Sequence, residues 1–84
     1  MTAPTVTVEL YGSLAQLAGE ASFQIEARTI RDVLKGLATA APVIADRLDG
    51  GVSVSIDGRI YTEALFEHVS PENEIIILPR IAGG

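Results

Sequence analysis

The sequence predicts an α+β roll, a mixed sheet of four or five strands packed on one main helix. Three observations predict it. Residues 5–11, 21–27 and 52–57 alternate apolar and polar side chains with a period of two, the pattern of strands with one buried face. Residues 30–41 instead place Ile30, Val33, Leu34, Leu37, Ala38 and Ala41 on a single helical stripe. In the last run, EIIILP at residues 74–79, Ile75, Ile76, Ile77 and Leu78 are apolar on both parities, as in a strand covered on both faces. At 84 residues the chain can build one modest core and not two.

Taken in order, the first strand is TVTVELY, with Val6, Val8 and Leu10 on one side and Thr7, Glu9 and Tyr11 on the other. Gly12 ends it. Ser13 is placed to cap a short helical turn carrying Leu14, Leu17 and Ala18, which Gly19 stops. ASFQIEA follows as a second strand with Phe23 and Ile25 inward, and the short connection favours antiparallel pairing with the first. Thr29 is the N-cap of the main helix, with Asp32 three residues on. Gly36 is expected to weaken that helix slightly. Pro42 either ends it or starts a further turn carrying Val43, Ile44 and Leu48, and Asp49-Gly50-Gly51 reads as a turn. VSVSID is a strand with Val52, Val54 and Ile56 inward; Asp57-Gly58 signals a hairpin with a short return strand at residues 59–61. A loop through Leu65, Phe66 and Val69 leads to a turn at Ser70-Pro71-Glu72-Asn73 and then to the last strand. One helix covers only one face of that strand, so Ile75/Ile77 or Ile76/Leu78 is expected on an open face as a docking patch. The alternative is a central strand whose second face is capped by loops.

Composition excludes several functions. Nearly half of the residues are apolar, which argues against disorder. A formal net charge of −5 argues against nucleic acid as a partner and suits solubility or a basic protein partner. Without cysteine there are no disulfides and no thiolate nucleophile, which fits a cytoplasmic location. The N-terminal residues do not read as a signal peptide. No apolar run approaches the roughly 20 residues that a membrane helix needs, so no membrane partner is expected. The single histidine, His68, reads as a surface residue, and Glu63 and Glu67 as a solvated face lacking a third metal ligand. Gly50-Gly51 lacks the Lys and Ser/Thr of a phosphate loop, and Ser53 and Ser55 have no base nearby. The domain is expected to bind no metal and no cofactor and to have no activity alone.

The sequence closes on PRIAGG. We read residues 1–80 as the folded domain and 81–84 as a flexible tail. A glycine pair has no Cβ, so it passes through a channel too narrow for any side chain. The four residues after Arg80 reach about 13 Å when extended at about 3.3 Å each. The reactive group there is the carboxylate of Gly84. It is a poor electrophile until activated, typically as an acyl-adenylate, after which it accepts sulfur or acylates an amine.

Three stretches carry a family resemblance that spans essentially the whole chain. ELYGSLAQLAG (residues 9–19) resembles the first strand and short helix, SIDGR (55–59) the central hairpin, and EIIILPRIAGG (74–84) the last strand and tail of one group. That group is the ubiquitin-like β-grasp sulfur carriers, the MoaD/ThiS family. Pro79 is closest in look to the small subunit of molybdopterin synthase. Ala15 and Arg80 depart from the pattern, standing where many members have a basic residue and a second proline.

The resemblance implies a cycle. An adenylating enzyme of the ubiquitin-activating type uses ATP to adenylate Gly84. A cysteine desulfurase or other sulfurtransferase converts the adenylate to a thiocarboxylate. Arg80, Ile81, Ala82 and Gly83 then thread a channel in a synthase large subunit, and the sulfur passes to a small molecule. In the molybdopterin branch the acceptor is a cyclic pterin precursor. Tyr11, Ile76, Leu78 and Pro79 would form the partner-docking face, and strand parity independently sets Tyr11 opposite the core residues of the first strand. Related carriers supply sulfur to thiamine thiazole, cysteine or other metabolites. A ubiquitin-like modifier conjugated through Gly84, and an adaptor domain with an inert tail, remain open readings.

Overall fold

The computed structural model describes residues 3–62 and 64–79. The elements follow as β1 (Thr5–Leu10), α1 (Ser13–Ala18), β2 (Ser22–Glu26), α2 (Ile30–Ala40), a 3-10 turn (Pro42–Ile44), α3 (Ala45–Asp49), β3 (Val52–Ile56), β4 (Arg59–Tyr61) and β5 (Ile75–Pro79). The strands form one sheet in the order β2-β1-β5-β3-β4. β1 runs antiparallel to β2 and parallel to the central β5, while β3 is antiparallel to both β5 and β4. This mixed sheet with helices on one face is the ubiquitin-like β-grasp, an α+β fold, as the period-two and helical stripes predict.

The core lies between the sheet and α2. Val6, Val8 and Leu10 of β1 and Ile75 and Ile77 of β5 are buried on the helix side. Ile30, Val33 and Leu37 of α2 meet them, with Leu34 and Ala38 partly buried beside them. Each such aliphatic side chain contributes about 1.5–3 kcal/mol on burial. Helical cover is shared, because Leu14 of α1, Ile44 of the 3-10 turn and Leu48 of α3 also join the core. Pro42 therefore starts a turn at its first position. Of the residues this turn carries, Ile44 is buried and Val43 exposed, because the tight 3-10 turn points neighbouring side chains in different directions.

Two glycines do specific work. Gly12, at φ 60°, is the residue that leads into α1, and Ser13 lies inside the helix with no side-chain cap bond. The expected serine cap is thus replaced by a backbone bend that only glycine adopts freely. Gly36 faces β2, where an added Cβ would collide with Cγ2 of Ile25. Its cost in helix propensity is the condition for α2 to lie this close to the sheet.

The N-terminus of α2 is well satisfied. Thr29 Oγ1 accepts from the Asp32 amide at 3.3 Å, as the cap spacing predicts. The Ile30 and Arg31 amides donate to the carbonyls of Glu67 and Leu65 at 3.0 and 2.8 Å. These bonds, with a bridge between Thr29 and His68, bind the 64–68 loop to the helix. Phe23 is partly buried rather than fully inside.

Candidate functional site

The face of the sheet opposite α2 is open, and strand parity decides what it shows. β1 turns Thr5, Thr7 and Glu9 outward, and Tyr11 continues that parity with 58% of its surface exposed. In β5, Ile75 and Ile77 are buried while Ile76 and Leu78 are half-buried on the open face. The spare apolar pair is therefore Ile76/Leu78, and no helix covers it among the described residues.

Register assembles these residues into a surface. Glu9 pairs with Ser22 on one side and with Ile76 on the other. Ile76 pairs with Ser55, and Ser55 with Ile60. One transverse row thus runs Ser22, Glu9, Ile76, Ser55, Ile60. The next row sets Leu78 against Ser53. Tyr11, one residue beyond the Leu10–Ile77 pair, falls beside Leu78, and its amide donates to the Ile77 carbonyl at 3.0 Å. The β2–β1 half of the face is polar and acidic; the β5–β4 half carries the apolar Ile76, Leu78 and Ile60 around Ser53 and Ser55. Ser53 and Ser55 are short, so the branched side chains of Ile76, Leu78 and Ile60 stand above them.

Ile60, 56% exposed, was not singled out from the sequence. A signal for it exists. A two-residue Asp57-Gly58 turn pairs residue 56 with 59 and 55 with 60, which puts Ile60 on the same face as Ser55. The turn has the expected geometry, with φ of 53° at Asp57 and 87° at Gly58.

The structure brings Tyr11, Ile76 and Leu78 together. Pro79 sits differently. Its register partner is Val52, so it has the parity of Ile75 and Ile77 and turns toward the helix side. There it lines a shallow recess of about 240 Å³ with Leu14, Arg47 and Gly50. Arg80, Ile81, Ala82, Gly83 and Gly84 lie outside the described residues, so the tail and its proposed threading are not described. Among the described residues, no three His, Cys, Asp or Glu side chains gather to hold a metal ion. No helix among them is long and apolar enough to cross a membrane.

No protein-family model matches the chain, and no curated protein matches it. Solved structures do. SAMP1 from Haloferax volcanii superposes with a TM-score of 0.78 at 26% identity, over 95% of this chain and 99% of that one. The small archaeal modifier protein 1 from Methanosarcina acetivorans gives 0.76 at 25% identity, over 100% and 99%. A candidate molybdopterin converting factor subunit 1 from Pyrococcus furiosus gives 0.73 over 94% and 100%, and at 20% identity this last likeness speaks to the fold alone. The fold and its neighbours define a ubiquitin-like protein. Within that class the neighbours at 25–26% identity are small archaeal modifier proteins.

Proposed function

We propose that the chain is a sulfur carrier acting in molybdopterin biosynthesis, loaded and unloaded at the Gly84 carboxylate. The carboxylate attacks the α-phosphate of ATP on an adenylating enzyme, forming an acyl-adenylate and releasing pyrophosphate. The persulfide of a sulfurtransferase displaces AMP to form an acyl disulfide, and a thiol then reduces that S–S bond, leaving a thiocarboxylate on Gly84 and a disulfide on the donor. A synthase large subunit then passes that sulfur to a cyclic pterin precursor, water restoring the carboxylate, and a second loaded chain supplies the other sulfur of the dithiolene.

The observation that carries this reading is the coupling of an open apolar strip to the tail-bearing strand. Ile76 and Leu78 lie on β5, and residues 80–84 follow β5 directly. A partner seated on that strip receives the tail at a fixed place. The domain supplies recognition, and the reactive sulfur is mounted on a chain that has no cysteine of its own. Supplying the thiocarboxylated chain and cyclic precursor to a molybdopterin synthase large subunit tests the assignment. Molybdopterin is expected, and its absence with an active large subunit counts against this branch.

A second reading has its own support. Two of the structural neighbours at 25–26% identity are small archaeal modifier proteins. On that reading the adenylated Gly84 acylates a lysine amine and forms an isopeptide bond. Adenylation precedes both outcomes. A ladder of conjugates on a denaturing gel, formed with ATP and lost on deleting Gly84, identifies the modifier.

A further inference from the structure

A groove of about 440 Å³ opens on the opposite side of the molecule, between α2 and the β3–β4 hairpin. Leu34, Ala38, Val54, Tyr61 and Leu65 give it an apolar lining. Its size is that of a pocket for a compact ligand or a few side chains. It does not touch the Tyr11–Ile76–Leu78 strip, since Val54 and Tyr61 point to the helix side of their strands while Ile60 points away from it.

The rim is basic. Arg31 and Lys35 stand one helical turn apart on α2 and both line the groove. They are two of only six basic side chains in a chain with eleven carboxylate residues, and Lys35 is its one lysine. Both are exposed, and neither side chain has a hydrogen bond or ion pair among the described residues. An acidic protein thus places two unpaired positive charges along one apolar groove, where Asp49 is the acidic residue among the described lining; on its far side Lys35 also borders a recess with Glu26 and Asp32. The groove also runs beside β4, the outermost strand of the sheet, which has no strand on its far side among the described residues. Edge strands accept an added extended segment through backbone hydrogen bonds.

We propose that this groove docks an extended segment of a partner protein, with alternate aliphatic side chains in the apolar lining and flanking carboxylates on Arg31 and Lys35. A second copy of the chain fits less well, because pairing two β4 edges brings two basic rims together. The site is independent of Gly84 chemistry.

Short random peptides displayed on phage, selected on the intact protein and counter-selected on Arg31→Glu/Lys35→Glu, test the proposal. Both substitutions keep good helix formers at exposed positions. Enrichment of sequences joining aliphatic residues to Asp or Glu is the expected result. A synthetic copy of the best sequence should shift amide resonances of α2, β3, β4 and Leu65, and the double variant should bind it about tenfold more weakly. The variant should give a native amide spectrum and take up sulfur at Gly84 normally, which separates this site from the carrier reading. Enrichment without acidic residues, shifts confined to β1 and β5, equal binding by the double variant, or a dimer that occupies the groove would each overturn the proposal.

Discussion

Asn73 grips Asp57 across the end of the sheet, its Nδ2 donating to Asp57 Oδ2 at 2.7 Å. The other carboxylate oxygen accepts from the Glu74 amide at 2.8 Å, and the Asp57 amide donates to the Glu74 carbonyl at 2.9 Å. Asn73 is itself held, because its Oδ1 accepts from the Ser70 amide at 2.7 Å. The next pair inward is Ile56 with Ile75. This clamp therefore sets the register in which β5 enters the sheet, and a slip of one residue would exchange Ile75/Ile77 for Ile76/Leu78 on the open face.

Breaking the clamp should loosen the sheet at that end. Asn73→Ala is expected to cost about 1–2 kcal/mol, since it removes a hydrogen bond to a charged group and frees the turn. Asp57→Ala should cost more, because alanine also resists the positive φ that aspartate holds there. Urea denaturation of the two variants measures both losses.

Gly36→Ala should destabilise the domain, against its helix propensity. Propensity alone favours alanine by about 1 kcal/mol. Collision of the new Cβ with Ile25 forces α2 off β2, an overpacking cost of about 1–3 kcal/mol. A melting temperature below the parent is the expected result.

Leu78 and Ile77 are neighbours with opposite duties. Leu78→Asp places a charge on a half-exposed face and should cost about 1 kcal/mol of stability. Its binding to the adenylating enzyme or synthase should fall by tenfold or more, as for an anchor at the centre of an interface (about 2 kcal/mol). Ile77→Asp buries an unpaired charge and should prevent folding. Circular dichroism and titration calorimetry on both variants separate the two duties.

Ile60 extends the apolar half of the open face onto β4. Ile60→Ser should change stability by no more than about 0.5 kcal/mol, as at other exposed positions, while weakening partner binding measurably. Equal affinity for parent and variant would confine the docking face to β1 and β5.

The sheet was legible because its signals are local. Alternation in β1 and β3, the Thr29 cap and the Asp57-Gly58 turn each follow from a few adjacent residues. Strand pattern alone left the spare pair on β5 as a choice, since its parity depends on the distant clamp between Asp57 and Asn73; the family resemblance is what named Ile76 and Leu78. Three features escaped. Gly36 reads as a helix weakener until Ile25 is seen beneath it, a contact across the fold. Ile60 needed the hairpin register to be carried one strand further. The groove between α2 and β4 draws on α2, α3, β3, β4 and the 64–65 loop, so no single stretch of sequence announces it. The tail is the reverse case, since its reading comes from sequence and residues 80–84 lie outside the described part of the fold.

The proposed function rests on Gly84 carrying sulfur. The intact mass of the chain after incubation with its adenylating enzyme, ATP and sulfide tests it most directly. A sulfur carrier gains the difference between one sulfur and one oxygen atom, dependent on ATP and lost on deleting Gly84 while the fold is retained. An unchanged mass with an enzyme shown to adenylate the chain, or the same gain in the protein lacking Gly84, would contradict it.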